Sequence, residues 1–451
     1  MLHNILAFAP LILLIAMALI TKKMAESMVI SVFFATILLY RQNSLDGFLD
    51  MAYDVLADSS FQFVLFVMIG FGGLITLFQE SGALMGFRDF LDKYALGPKK
   101  SMFLAWVMSF IMFVDEYLNA LTVTFSMRDI TDKSGIPREH LAFQAHAMAC
   151  CLCMTIPFTS WTAFTVGLIS EYGLGFYDYV ESIPYMFFPL LMLVLCLLLI
   201  FGLFPKVGEM KRAYQRVENG GPALLIDEKA DKLVDVGSVD EEKVSSALNA
   251  IIPLVVLIAG VLLCDNDLLH GLVLALLAQF VLYVGQKIMT LAEFFENFFN
   301  GAKSMTSLAI VIGFGFILSR ENRDLGMFDI LINGFGGKVP AFLLPLIAFI
   351  LVGLTTFAVG SCWVVMTISI PIFMPIALSC GVPPVQMIAA VMSGVAMGFS
   401  LCFYADTVFM TTAGTGVSNI AIIKTTIPYA IGIIILTAIG FVICGISAMG
   451  I

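Results

Sequence analysis

The chain has 451 residues, 60% of them hydrophobic and only 12% charged, with a mean hydropathy of +1.00 and a formal net charge of −10. A soluble protein of this length needs roughly a quarter of its residues charged, so the composition excludes that class and implies an all-α integral membrane protein. No basic patch with interleaved aromatics suggests nucleic acid, which leaves the lipid bilayer and a small ion or organic solute as partners.

Apolar runs fall near residues 4–21, 26–40, 61–79, 102–127, 141–169 and 183–204. Most approach the ~20 residues a helix needs to cross a bilayer. In hydrocarbon each segment must satisfy its own backbone, so the runs are read as helices rather than open strands. The first run lacks a basic leader and an Ala-x-Ala site, and Lys22 and Lys23 follow it, which describes a retained helix rather than a cleaved signal peptide. Residues 205–247 carry seven Lys/Arg and nine Asp/Glu with almost no apolar periodicity, as a solvated linker would. A second set of runs follows near 248–264, 268–285, 305–319, 341–378, 386–412 and 426–449. Nine cysteines lie almost wholly in apolar runs and read as buried thiols.

The two sets are related. Gly135-Ile-Pro recurs as Gly381-Val-Pro, Leu45-Asp-Gly-Phe-Leu-Asp as Leu291-Ala-Glu-Phe-Phe-Glu, and Gly70-Phe-Gly as Gly313-Phe-Gly, in order and at nearly one spacing. Ordered matches favour duplication over chance. Residues 1–204 are then a first repeat, 205–247 a cytoplasmic hydrophilic linker, and 248–451 a second repeat. Lys and Arg accumulate on the inside. A first helix running inward places 19 of them inside and only Arg41, Arg320, Arg323 and Lys338 outside, provided residues 101–135 form a re-entrant hairpin turning near Asp115. The expectation is about 10 transmembrane helices plus two re-entrant hairpins in two inverted-topology repeats. Both termini lie outside, and the chain is multi-pass in a bacterial inner membrane.

Carboxylates stranded at mid-membrane are functional candidates, because each costs about 2.5–3.5 kcal/mol to insert. Asp115 and Glu116 have some thirteen apolar residues on each side and could share a cavity with Asn119 at a broken turn. Two nearby carboxylates cannot cheaply ionise together, so one should hold a proton. Asp406 lies in a second apolar run, and the 246-residue offset pairs it with Ser160 and pairs Ser361 with Asp115. Each half thus offers a polar hairpin tip and a polar break in the next crossing helix, the arrangement in which inverted-repeat carriers hold their substrate. Pro157, Gly414 and Gly416 fit such breaks, though small residues also serve helix packing.

The oxygens of Asp115, Asp406, Thr159, Ser160 and Thr407 suit a hard cation such as Na⁺, with Asp115 and Asp406 as its candidate metal ligands. A carboxylate can also cap a helix, and a hydroxyl can bond its own helix. His146 is read either as a proton relay or as a satisfied interhelical histidine, and Glu80 as interfacial. No His-Glu-x-x-His, Gly-x-Ser-x-Gly or phosphate loop occurs, and neither aspartate has the surroundings of an intramembrane protease. The reading is a secondary active transporter, not an enzyme, with no cofactor and with Na⁺ and/or H⁺ as transported or coupling ions. A channel and a homodimer are left open.

Phe113-Val-Asp-Glu-Tyr-Leu-Asn-Ala-Leu-Thr-Val, Met127-Arg-Asp-Ile-Thr-Asp-Lys, Ile136-Pro-Arg-Glu-His-Leu-Ala-Phe and Pro157-Phe-Thr-Ser-Trp together resemble the NhaC-type sodium/proton antiporter family. Gly360-Ser-Cys-Trp, Ala405-Asp-Thr and Lys424-Thr-Thr-Ile-Pro-Tyr-Ala look like its later motifs. The resemblance implies a cation-coupled carrier, with Na⁺/H⁺ exchange first and coupled movement of an amino acid or small carboxylate second. The chain departs from the family pattern at Asp115-Glu116, where two aspartates are common. It departs again at His146-Ala-Met-Ala-Cys-Cys and at Gly398-Phe-Ser-Leu-Cys-Phe-Tyr. These departures favour the organic solute.

Overall fold

A computed structural model describes residues 2–21, 24–83, 86, 97–224, 244–264, 267–327, 330, 339–403 and 405–448. Lys22, Lys23, Arg88, Lys93 and Lys338, which bear on the orientation argument, lie outside the described residues. Within them the chain is helical, with no strand.

The first series runs α1 (Leu2–Thr21), α2 (Met24–Tyr40), α3 (Ser44–Ala57), α4 (Ser59–Glu80), α5 (Pro98–Ile111), α6 (Glu116–Lys133), α7 (Arg138–Thr155), α8 (Ser160–Ser170), α9 (Phe176–Ser182) and α10 (Phe187–Phe201). After α11 (Gly208–Glu218) comes a second series: α12 (Leu248–Leu263), α13 (Leu268–Gly285), α14 (Leu291–Ser304), α15 (Thr306–Asp324), α16 (Leu344–Val359), α17 (Cys362–Ser379), α18 (Pro384–Leu401), α19 (Asp406–Thr415) and α20 (Asn419–Ala448). Among the described residues, seven stretches are long and apolar enough to cross a membrane. The number becomes nine if the bent pairs α7–α8 (45°) and α9–α10 (55°) each count as one span. The protein is a multi-pass membrane protein.

Helix boundaries repeat along the chain. Pro98 and Leu344, Glu116 and Cys362, Arg138 and Pro384, and Ser160 and Asp406 each begin a helix, and each pair is 246 residues apart. The turns between match as well. Gly135 and Gly381 both take positive φ (72° and 71°), and the next residue's N–H reaches back to a helical carbonyl, Ile136 to Thr131 and Val382 to Ala377. This is the glycine C-cap with a proline beyond it, which ends one helix and starts another within four residues.

The first hairpin is directly visible. The Ser101 and Ser134 hydroxyls, at the outer ends of α5 and α6, lie 2.7 Å apart. Nearer the tip, Asn119 donates from Nδ2 to the Ser109 carbonyl at 2.7 Å. The chain therefore turns back at Met112–Asp115, the position expected from the sequence. In the second half, α18 packs closely on α16 because Gly394 and Gly398 let the two backbones meet.

The linker is not wholly solvated. Its first part forms α11, which buries Met210 and Ala213. Arg216 makes a bidentate ion pair to Glu139 at 2.8 Å, the Tyr214 hydroxyl lies 2.6 Å from His140 Nδ1, and the Tyr429 hydroxyl accepts from the Val207 N–H at 3.0 Å. The segment thus straps the start of α7 to α20. An eleven-residue helix with two buried side chains leaves little periodicity to read. Arg216→Ala should release this strap. Truncating one partner of a largely buried charge pair costs about 2 kcal/mol, so cleavage after Arg212 in limited trypsinolysis should quicken about 30-fold. At the other end of the α7–α8 span, Glu171 accepts from Ser319, Arg320 and Arg323 of α15, and Arg320 also pairs with Asp58 at 2.6 Å. Six of the nine cysteines are buried.

Candidate functional site

Four interruptions of helix meet inside the protein. They are the hairpin tip before α6, the break at Ile156–Thr159 between α7 and α8, the turn at Gly360–Ser361 between α16 and α17, and the break between α18 and α19, brought together by contacts of Tyr117 with Asp406, Trp161 with Glu116 and Trp161 with Trp363. Helix ends expose unpaired N–H and C=O groups, so each break supplies backbone polarity as well as side chains.

Asp115 is the N-cap of α6. Its Oδ1 accepts from the N–H groups of Tyr117 and Leu118, both at 2.9 Å. The capping alternative is therefore realised for this residue. Glu116 is fully buried; the Trp161 indole N–H donates to its Oε2 at 2.6 Å, while Oε1 has no partner within the protein. Asp406, the first residue of α19, accepts at Oδ2 from the Tyr117 hydroxyl at 3.1 Å. Tyr117 thus ties the tip of the first hairpin to the break in the second half, 289 residues away. Asp115 and Asp406 both lie within electrostatic range of Glu116. Among the described residues none of the three forms an ion pair with Lys or Arg, and no three His, Cys, Asp or Glu side chains converge as a metal-binding group.

The remaining candidates divide. Thr159 caps α8, accepting from the Thr162 N–H at 3.2 Å and donating to the Cys153 carbonyl at 2.7 Å, so its hydroxyl serves the break itself. Ser160 is buried with an unpartnered Oγ. Asn119 keeps an unpartnered Oδ1. Ser361 caps α17 by position without a side-chain cap bond. His146 is satisfied at both nitrogens. Nε2 lies 3.2 Å from the Ser400 carbonyl, which can only accept, so in the neutral ring Nδ1 accepts from the Thr407 hydroxyl at 3.2 Å. Gly414 packs against Thr124, and Gly416 (φ 74°) ends α19.

Sequence reasoning missed the aromatic side chains. Tyr117 and Trp161 sit inside motifs already singled out, where the sequence reading gave a role to the polar side chains alone. In the structure Trp161 packs on Trp363 (ring centroids 5.3 Å apart) and Phe399 (6.3 Å), bringing the two halves together over Glu116. The signal was the Trp two residues beyond the polar position in both Thr159-Ser-Trp and Ser361-Cys-Trp.

A family model described as the Na⁺/H⁺ antiporter family matches residues 152–446, most of the chain. The chain belongs to that family. It is therefore a membrane transport protein. The matched region contains Thr159, Ser160, Ser361, Asp406 and Thr407; Asp115, Glu116, Asn119 and His146 precede it. Among relatives, an uncharacterized protein of Haemophilus influenzae is 22% identical, the alignment covering 99% of this chain and 92% of that protein. Two solved structures share the fold. The YdaH transporter of Alcanivorax borkumensis aligns with TM-score 0.65 and 14% identity over 91% of this chain and 90% of its own. MtrF of Neisseria gonorrhoeae, described with a class of antimetabolite efflux pumps, aligns with TM-score 0.61 and 13% identity over 90% and 85%.

Proposed function

We propose that this antiporter-family protein exchanges Na⁺ for H⁺ by alternating access, with Asp115, Glu116 and Asp406 around one central site and Asn119, Ser160 and Ser361 contributing oxygens. The observation that carries the reading is Glu116, a fully buried carboxylate with one oxygen unpartnered and two further carboxylates nearby but, among the described residues, no Lys or Arg paired with any of the three. Three such groups need protons or cations to offset their charge, and competition between the two at one site is what exchange requires. Asp115 binds through the oxygen that capping leaves over. His146 is a structural bridge rather than a relay. Na⁺ and H⁺ are the transported ions, and no resident cofactor is invoked.

The 246-residue spacing of helix starts supports two inverted repeats, residues 1–204 and 248–451, joined by the linker 205–247 on the cytoplasmic side. On this reading α5–α6 and α16–α17 are re-entrant hairpins among about ten crossings, in a bacterial inner membrane with both termini outside.

A second reading rests on the rings of Trp161, Trp363, Phe399 and Tyr117 beside the carboxylates. An aromatic wall with few polar groups suits an organic solute, and coupled movement of an amino acid or carboxylate is that alternative. Purified protein in proteoliposomes loaded with a pH-sensitive dye separates the two. A pH change on adding Na⁺, persisting with the membrane potential clamped and no organic solute present, supports exchange. Silence in sealed vesicles, followed by Na⁺-driven uptake of an amino or carboxylic acid, supports the second reading.

A further inference from the structure

Hydroxyl and amide groups on α6 fall into two classes. Thr124 and Thr131 donate to carbonyls of their own helix. Asn119, Thr122 and Ser126 do not; each is buried, and each keeps an oxygen with no hydrogen-bond partner within the protein. Glu116 Oε1 shares that condition. These four positions are spaced three, three and four residues apart, which places them along one broad stripe of the helix.

Asn119 fixes the direction of the stripe, since its Nδ2 donates to Ser109 of α5. From α7, Gln144 reaches the Met102 carbonyl of α5 and also leaves its buried Oε1 unpartnered. The stripe therefore runs from Glu116 between α5, α6 and α7 toward the hairpin base. There the Ser101 and Ser134 hydroxyls meet, and Ser134 is half-exposed.

Buried polar atoms are almost always hydrogen-bonded, and several orphans in one interface call for a partner that is not a protein group. Residues three or four apart on a helix are separated by a rise of ~4.5–6 Å. Two hydrogen bonds of ~2.8 Å through one water span ~5.6 Å, so a single water bridges each gap from Glu116 to Ser126, while the eight residues from Ser126 to Ser134 rise ~12 Å and need two or three waters beside Gln144.

We propose that a file of water molecules along Asn119, Thr122, Ser126 and Gln144 connects Glu116 to the Ser101/Ser134 end of the first hairpin, as the proton's route to the central site. The route runs between the hairpin and α7, apart from any opening between the two halves. Its use by protons rests on the exchange reading above, but the presence of the waters does not.

Radiolytic hydroxyl-radical footprinting of the full-length purified protein tests it, because bound water labels side chains that bulk solvent does not reach. Met102, only 2% exposed, should label in the wild type and lose that label in Thr122→Val/Ser126→Ala, whose shapes are near those of the wild type. Thr131→Val, which removes a hydroxyl already satisfied by its own helix, should label like the wild type. An unlabelled Met102 in the wild type overturns the proposal whether or not the double variant folds. Labelling unchanged in a folded double variant overturns it equally. Labelling as expected in a protein whose Na⁺ binding releases no proton leaves the water file standing and removes the exchange reading alone.

Discussion

Glu116→Gln is expected to lower transport about 100-fold while the protein folds and melts as the wild type does. Gln has nearly the same volume and keeps an acceptor for the Trp161 indole, so packing at the α6–α8 contact survives. What disappears is the charge on a buried oxygen that has no other partner. Interactions with a charged group are worth roughly 1.5–3 kcal/mol, and the upper end of that range corresponds to about 100-fold. Counterflow of radiolabelled Na⁺ in proteoliposomes measures the loss. Transport within a few-fold of wild type would remove Glu116 from the mechanism, leaving Asp406 and Asp115 to account for it.

Gly398→Leu should have the opposite profile, destroying the fold rather than the chemistry. A Cβ at this position would meet Thr356 Cβ at 2.5 Å and the Phe357 nitrogen at 2.7 Å, as well as the Gly353 carbonyl. One turn earlier, a Cβ at Gly394 would meet the Phe349 carbonyl at 2.7 Å and Val352 Cβ at 2.9 Å. In a bilayer, helices associate through such close packing because lipid supplies no hydrophobic drive between them. Overpacking alone costs about 1–3 kcal/mol, and here the obstacle includes backbone, so a loss of about 3 kcal/mol or more is expected. A lowered midpoint in a thermal aggregation assay, with poor yield of monodisperse protein, would show it. A Gly398→Leu variant as stable as wild type would mean that α16 and α18 can separate at little cost.

Much of this architecture is legible in the sequence for a simple reason. A bilayer forces long apolar helices, so a carboxylate such as Asp115 or Asp406 within an apolar run marks a break in the sequence itself. The recurrence of Gly135-Ile-Pro as Gly381-Val-Pro located equivalent turns, because a left-handed glycine followed shortly by proline ends one helix and starts the next within a few residues. The side-chain partnerships were not legible. Nothing in one sequence pairs Tyr117 with Asp406 or Trp161 with Glu116, since each contact depends on how breaks far apart in the chain stack in space. The docking of α11 was hidden for another reason: its contacts are ion pairs and hydrogen bonds by Arg216 and Tyr214, and charged linkers look alike whether docked or solvated.

The claim at the centre of this account is that Na⁺ and protons compete for the same carboxylates. Isothermal titration of Na⁺ into the purified protein, repeated in buffers of different ionisation enthalpy, measures proton release on binding. The account predicts an apparent binding enthalpy that varies with the buffer in the wild type and no longer does so in Asp406→Asn or Glu116→Gln. Na⁺ binding with the same enthalpy in every buffer, or proton release undiminished in both variants, would contradict it.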